Sequence, residues 1–165
     1  AWTARPLSLE DPQLSKSTLS LIQTKEAVHP ITCPQDWNHR WRGPGRFVWG
    51  LFHSRLPQQP LVVLYMALMN DDTSRSMTAI MDQIQRPPES ITSSSKEQPT
   101  TKPTRAVFYS ISNLRPGLTG LGLAESLIQA AVAHLQQRQP SVQTFSTLSP
   151  LPTFQKWLTT RLEAE

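Results

Sequence analysis

Residues 106–122, AVFYSISNLRPGLTGLG, decide the fold, because a strand pattern passes there directly into a glycine-bearing turn. Residues 106–112 predict a β-strand, and residues 123–135 repeat apolar side chains at the spacing of an amphipathic helix. Glycines in such a turn let the backbone approach an anion, and the free N–H groups of the helix start point at it. The spacing matches neither a Walker A loop nor a dinucleotide fingerprint, so a glycine turn without a ligand is an equally open interpretation. The turn's glycines are Gly117, Gly120 and Gly122.

Two serines stand near the end of this strand, just before the turn. Side chains alternate along a strand, so Ser110 and Ser112 are expected on one face of the sheet. Two hydroxyls in that place are able to bind or polarise a substrate. Hydroxyls satisfied by neighbouring backbone groups are the other interpretation, and the pattern alone favours it slightly.

The rest of the chain predicts a mixed α/β domain with no internal repeat. Residues 86–104 hold four prolines and a serine triplet with scarcely an apolar side chain, which predicts a disordered surface insertion. Alternating and apolar runs on either side of a turn predict an antiparallel strand pair. The predicted elements are a helix over 11–25, a short helix from 34, strands over 47–53 and 61–69, helical spacing over 77–84, a strand over 142–147 and a helix over 152–162.

Composition limits the classes of protein. The chain has 165 residues, a net charge of +4, fifteen prolines and one cysteine, Cys33, so an internal disulfide is excluded. No apolar run approaches the ~20 residues of a membrane span, and no Cys/His cluster has metal-ligand spacing. Basic residues interleave with tryptophans over 37–49, which is typical either of nucleic-acid binding or of a helix and strand packing their aromatics into a core. We favour the core.

Four segments, in order, resemble malonyl-CoA decarboxylase: EAVHP from Glu26, PLVVL from Pro60, FYSIS from Phe108 and STLSPLP from Ser146. The resemblance spans nearly the whole chain. It implies an α/β fold similar to the GNAT acyltransferases: a mixed, mostly antiparallel, splayed sheet flanked by helices, here truncated at the C-terminus. Residues 1–25 are then expected to be a linker helix leading from a helical N-terminal domain, and residues 26–165 a partial catalytic domain.

The same resemblance implies decarboxylation of malonyl-CoA to acetyl-CoA and CO2, without a metal or organic cofactor, because the thioester is the electron sink. In the family a serine on this strand acts with a histidine far downstream, which this chain does not contain. That serine is Ser110 or Ser112, and we prefer Ser112 because it is nearer the turn. Substrate-binding residues are expected in the turn and in the loop after the second strand of the pair. They are Arg115, Gly117, Leu118, Gly120, Leu121 and Gly122 in the turn, and Asn70, Asp71, Thr73 and Ser74 in the loop. Gly117 stands where the fold usually has Gln or Arg.

The resemblance also implies malonyl-CoA as the partner, a homo-oligomeric full-length protein, no nucleic acid and no membrane. It implies a role in fatty acid metabolism in mitochondria, peroxisomes or cytosol. A chain of this extent is expected to be nearly inactive alone. Two alternatives stay open: a CoA-dependent GNAT-type acyltransferase, and a basic Trp/Arg-rich binding module without catalysis.

Overall fold

The fold is organised around one five-stranded mixed sheet. The structure is a computed structural model, and it describes residues 1–70, 78, 80, 81, 84, 102–148 and 154–163. The strands follow one another across the sheet in chain order; the first four are antiparallel and the fifth runs parallel to the fourth. The elements are β1 (Trp2–Leu7), α1 (Lys16–Lys25), α2 (Pro34–Arg42), β2 (Arg46–His53), β3 (Val62–Met69), β4 (Arg105–Asn113), α3 (Leu123–Arg138), β5 (Thr144–Thr147) and α4 (Phe154–Leu162).

The two faces of the sheet form two separate apolar cores. The first core joins the sheet to α1 and α2 through side chains such as Ile22, Trp41 and Tyr65. The second joins the sheet to α3, whose buried residues recur every four positions from Leu123 to Leu135. Side chains alternate between these cores because successive strand residues point to opposite faces. The predicted mixed, mostly antiparallel sheet, the strand pair and the long amphipathic helix are confirmed.

The first seven residues contain a strand that the sequence did not predict. Strand β1 pairs with β2 at the edge of the sheet, where Pro6 lies opposite Trp49. Proline lacks an N–H and is tolerated at an edge, because only one side of an edge strand needs partners. The expectation that residues 1–25 form a linker helix is therefore wrong for residues 2–7.

Helix α1 also begins later than predicted. Ser15 is its N-cap and accepts a hydrogen bond from the Thr18 N–H at 3.1 Å. Asp11, at which the predicted helix begins, instead accepts from the Gln13 N–H and pairs with Arg5. At the other predicted boundaries the changes are small: β5 begins at Thr144, two residues after the prediction, and α4 at Phe154.

Two predicted segments fall partly outside the described residues. The predicted insertion over 86–104 is described only in its last three residues. In the segment with helical spacing over 77–84, the four described residues are helical, and Ile84 among them is buried in the first core.

A bulge in β4 decides which face the two serines occupy. Tyr65 pairs with Ser110 whereas Met66 pairs with Phe108, so Tyr109 is an extra residue in β4. Phe108 points into the second core. Beyond the bulge, Ser110 and Ser112 lie opposite Tyr65 and Val63, which belong to the first core. A β-bulge re-aims the residues that follow it, and this one turns both serines toward the end of α1.

Candidate active site

The two serine hydroxyls meet a buried carboxylate, that of Glu26, directly after α1. Glu26 is 4% exposed and accepts hydrogen bonds through both oxygens. Ser110 Oγ lies 2.7 Å from Oε1 and 2.7 Å from Oε2, and Ser112 Oγ lies 3.5 Å from Oε2. The backbone N–H groups of Val28 and His29 donate to Oε1 at 3.0 and 2.9 Å. These donors replace the hydrogen bonds to water that the Glu26 carboxylate loses when it is buried.

Arg40 holds the segment that carries Glu26. Its guanidinium binds Asp36, one turn earlier on α2, through two hydrogen bonds of 2.7 and 2.8 Å. A third N–H donates to the carbonyl oxygen of His29 at 2.7 Å. Burial opposes the charge of Arg40, but Asp36 outweighs burial and raises the pKa of the guanidinium. The arginine guanidinium is planar and always charged, so it can bind the Asp36 carboxylate and the His29 carbonyl at the same time.

Two tyrosines lie beside this cluster in the first core. The rings of Tyr65 and Tyr109 are 6.0 Å apart, and the Arg40 guanidinium lies 5.9 Å from the Tyr65 ring. Burial raises the pKa of both phenols, and the nearby charge of Glu26 raises them further. Both tyrosines are therefore neutral at physiological pH.

The sheet opens next to Ser110. Within the described residues, β5 pairs with β4 only as far as Phe108 and Thr147, while β4 continues to Asn113. A cavity of about 70 Å³ lies at this opening, and Ser110 is the hydroxyl of β4 that lines it. Its remaining lining includes Val28, two residues after Glu26, and Leu148, directly after β5. A serine of the cluster therefore borders this cavity, beside the last paired row of β4 and β5.

The glycine turn follows β4 and leads into α3. Gly117, Gly120 and Gly122 have φ values of +79°, +82° and +67°, a region in which other residues are strained. A Cβ at any of the three meets no atom within 4 Å, so the glycines are required by backbone conformation and not by space. Gly122 is the N-cap of α3 and supplies no side-chain cap. The first N–H groups of a helix lack intrahelical partners and attract an anion.

The other predicted binding residues that the structure describes lie in the turn after β4 and directly after β3. Arg115 lies in the turn, but its guanidinium donates to Gln59 in the connection between β2 and β3. Leu118 packs against the second core, and Leu121 is exposed. Asn70 follows Met69, which pairs with Arg105 at the far end of β4. Seven residues of strand, about 23 Å, separate that row from Ser112. Asp71, Thr73 and Ser74 lie outside the described residues.

The tryptophans over 37–49 pack into the protein together with Arg40, whereas Arg42 is exposed. Trp41 and Trp49 are buried, in the first and second core respectively, and Arg40 is 3% exposed. This arrangement agrees with the interpretation of core packing. Among the described residues, no group of three His, Cys, Asp or Glu side chains could hold a metal ion, and no helix is long and apolar enough to cross a membrane.

Sequence reasoning named the segment EAVHP but missed the role of Glu26. The contact between Glu26 and Ser110 spans 84 residues, and no local pattern encodes it. One signal was available: a glutamate at the end of an amphipathic helix, three residues before a His-Pro pair, lies where the chain turns. A carboxylate there can accept the N–H groups of the turn, as it does from Val28 and His29.

The five-stranded sheet and its flanking helices form a GNAT-like fold. The structure resembles the loading GNATL domain of CurA from Lyngbya majuscula with a TM-score of 0.60 over 94% of this chain and 68% of that one, at 11% identity, which speaks for the fold alone. Residues 11–165 match the model of the malonyl-CoA decarboxylase C-terminal domain. The chain belongs to that family.

Two relatives illustrate the match. The mitochondrial malonyl-CoA decarboxylase of Anser anser anser is 37% identical over 147 residues, which cover 89% of this chain and 27% of that protein. The crystal structure of malonyl-CoA decarboxylase from Agrobacterium vitis has a TM-score of 0.76 and 32% identity, and the match covers 96% of this chain and 35% of that one. The chain thus spans about a quarter of the length of the curated relative.

Proposed function

We propose that the protein containing this chain converts malonyl-CoA to acetyl-CoA and CO2. The carrying observation is the cluster of Ser110, Ser112 and Glu26 between the opening of the sheet and the glycine turn, in a chain of the malonyl-CoA decarboxylase family. The turn supports binding of the CoA pyrophosphate through backbone N–H groups. The sheet opening then receives the pantetheine arm and brings the thioester to the serines.

The reaction breaks the bond between the α-carbon and the carboxylate. The electron pair moves into the thioester and leaves an enolate, and a proton on the α-carbon then gives acetyl-CoA. Placed hydrogen-bond donors lower the barrier by stabilising the enolate oxygen. We assign that donor role to Ser112, whose hydroxyl is held only at 3.5 Å by Glu26 and is adjacent to the turn. The resemblance assigns the protonation to a histidine that this chain does not contain.

We expect the reaction to need neither a metal ion nor an organic cofactor, because the thioester carbonyl accepts the electron pair. The curated goose relative is named as a mitochondrial enzyme, which supports a mitochondrial location for the parent protein. A peroxisomal or cytosolic location, a role in fatty acid metabolism and a homo-oligomeric assembly are further parts of the proposal, and only the family resemblance supports them.

The serine assignment is tested by Ser112→Ala in the full-length protein. Loss of one oxyanion donor typically costs about 10²–10³ in kcat, so we expect a fall of that order with little change in KM. Ser20→Ala, an exposed position on α1, is the matched control and is expected to retain wild-type activity. Full activity of Ser112→Ala would remove this serine from the mechanism.

The product separates this proposal from the acyltransferase alternative. Decarboxylation gives one acetyl-CoA and one CO2 for each malonyl-CoA consumed, with no amine required. An acyltransferase gives free CoA and an acylated amine. Mass spectrometry of the products, with and without an added primary amine, therefore decides between the two.

A further inference from the structure

We propose that Glu26 gives the two serines opposite hydrogen-bonding roles, so that Ser110 offers lone pairs to the sheet opening and Ser112 keeps its proton for the substrate. This inference rests on the proposed function and deepens it. Glu26 is a positioning residue in this scheme, since it acts on the substrate only through the two hydroxyls.

The direction of the Ser110 proton follows from the geometry. A hydroxyl has one proton to donate and two lone pairs to accept with, whereas an ionised carboxylate only accepts. Ser110 Oγ is equidistant, at 2.7 Å, from both oxygens of Glu26, so its one proton lies between them. The face of Ser110 that borders the cavity therefore carries lone pairs, and Ser110 does not donate to an enolate there.

The Ser112 hydroxyl, in contrast, does not commit its proton to Glu26. Its distance of 3.5 Å to Oε2 is at the limit of a hydrogen bond, so the contact is weak. Oε2 already has the shorter partner Ser110, and Oε1 accepts from Ser110 and two backbone N–H groups. Glu26 is thus largely saturated without Ser112, whose proton is free to turn to a substrate oxygen. Ser110 protects that proton by occupying the carboxylate.

Removal of the Ser110 hydroxyl should then disable Ser112 indirectly. In Ser110→Ala, the buried Oε2 of Glu26 loses its close donor, and a buried acceptor without a partner is costly. The Ser112 hydroxyl is the nearest replacement, and it turns to Glu26. We expect kcat to fall at least tenfold while KM changes less than threefold, since the glycine turn is untouched.

Glu26→Gln should reverse this loss. Oε1 of the glutamine keeps the two bonds from the Val28 and His29 N–H groups, so the local backbone is preserved. Its amide nitrogen replaces Oε2 and donates to the serine oxygens without accepting from them. Ser112 therefore keeps its proton whether or not Ser110 is present. We expect Ser110→Ala to reduce kcat at least tenfold in the wild-type background and less than threefold in the Glu26→Gln background.

The experiment is this double-mutant cycle in the full-length protein, read as kcat for CO2 release with Kd for acetyl-CoA and the melting temperature as checks. A Ser110→Ala, Glu26→Gln protein that is no more active than Ser110→Ala overturns the inference, because a purely structural Glu26 cannot restore activity when altered. If Ser110→Ala does not fold, Ser110→Cys, a weak donor of similar size, takes its place with the same expectation. A wild-type protein that releases no CO2 refutes the proposed function itself, so the two failures are distinguishable.

Discussion

His39 is a neutral imidazole built into the contact between α2 and the first core. It is buried, and its Nε2 lies 3.1 Å from the carbonyl oxygen of Ile84. Burial lowers the pKa of His39 below its ordinary 6.5, and the positive charge of Arg46 lowers it further. The imidazole thus donates to Ile84 as a neutral group, and protonation works against folding.

We predict that the free energy of unfolding falls as pH decreases from about 7 to 5. Burial makes His39 bind a proton less readily in the folded chain than in the unfolded chain, and stability declines with falling pH wherever the unfolded state binds more protons. The loss begins near the unfolded value of 6.5 and ends at the lower folded pKa. Urea unfolding at pH 5, 6 and 7 measures the slope.

His39→Gln is the matched variant for this prediction, because a glutamine amide can still donate to Ile84 and does not titrate. Its stability is expected to be flatter between pH 7 and 5. If His39→Gln retained the full wild-type slope, another group would be responsible.

At the scale of elements, the turn between β4 and α3 combines a required backbone shape with an exposed start of a helix. Gly120 has a φ of +82° and open space around its Cβ position. An alanine there fits sterically against its neighbours but strains the backbone by about 1–2 kcal/mol. The turn relieves this strain by changing shape, which moves its N–H groups away from the anion.

We predict that Gly120→Ala weakens acetyl-CoA binding about tenfold, since ~1.4 kcal/mol corresponds to a factor of ten. Gly120→Asn should lose less, because asparagine tolerates left-handed backbone better than alanine does. S-acetyl-pantetheine, which lacks the pyrophosphate, is the control ligand, and its Kd should not change. Calorimetric titration measures the Kd of both ligands for the wild-type protein and for the two variants. Equal loss for both ligands would show that the turn does not hold the pyrophosphate.

A comparison of the predicted and observed elements shows which structural features can be predicted from the sequence. Alternation and helical spacing placed β2, β3, β4 and α3 well, because each is a local pattern set by which side chains are buried. Strand β1 escaped because Pro6 argues against a strand, and only its edge position makes proline acceptable. The bulge at Tyr109 escaped for a different reason: an extra residue in a register is a property of two strands together.

At the scale of the whole molecule, the sequence indicated the serines and the turn glycines of the candidate site, but neither the role of Glu26 nor the arrangement of these groups. Ser110, Ser112 and the turn glycines are contiguous, so one stretch of chain reveals them. Glu26 joins them only because α1 and α2 pack on the face to which the bulge turns the serines. Arg40 then fixes that approach by binding both Asp36 and the His29 carbonyl. Such a contact depends on the packing of several elements at once, and no spacing in the sequence reports it.

The imidazole rings of the four histidines all contact groups other than the two serines. His39 bonds to Ile84, while the rings of His53 and His134 pack against Trp2 and Trp49. His29 lies nearer the site, but its ring faces Tyr109, at 6.3 Å between centroids. None of these contacts directs an imidazole at Ser112.

We therefore expect the 165-residue chain, expressed alone, to bind acetyl-CoA and to release almost no CO2 from malonyl-CoA. The turn and the sheet opening lie within it, so binding needs nothing further, whereas turnover also needs an acid for the α-carbon. Titration calorimetry measures binding, with Gly120→Ala as the weakened control, and release of labelled CO2 measures turnover. Sustained release would make a group of this chain the proton donor, and His29→Ala would be the first variant to examine. Absence of binding would show that the turn and the splayed strands hold CoA only when the rest of the protein supports them.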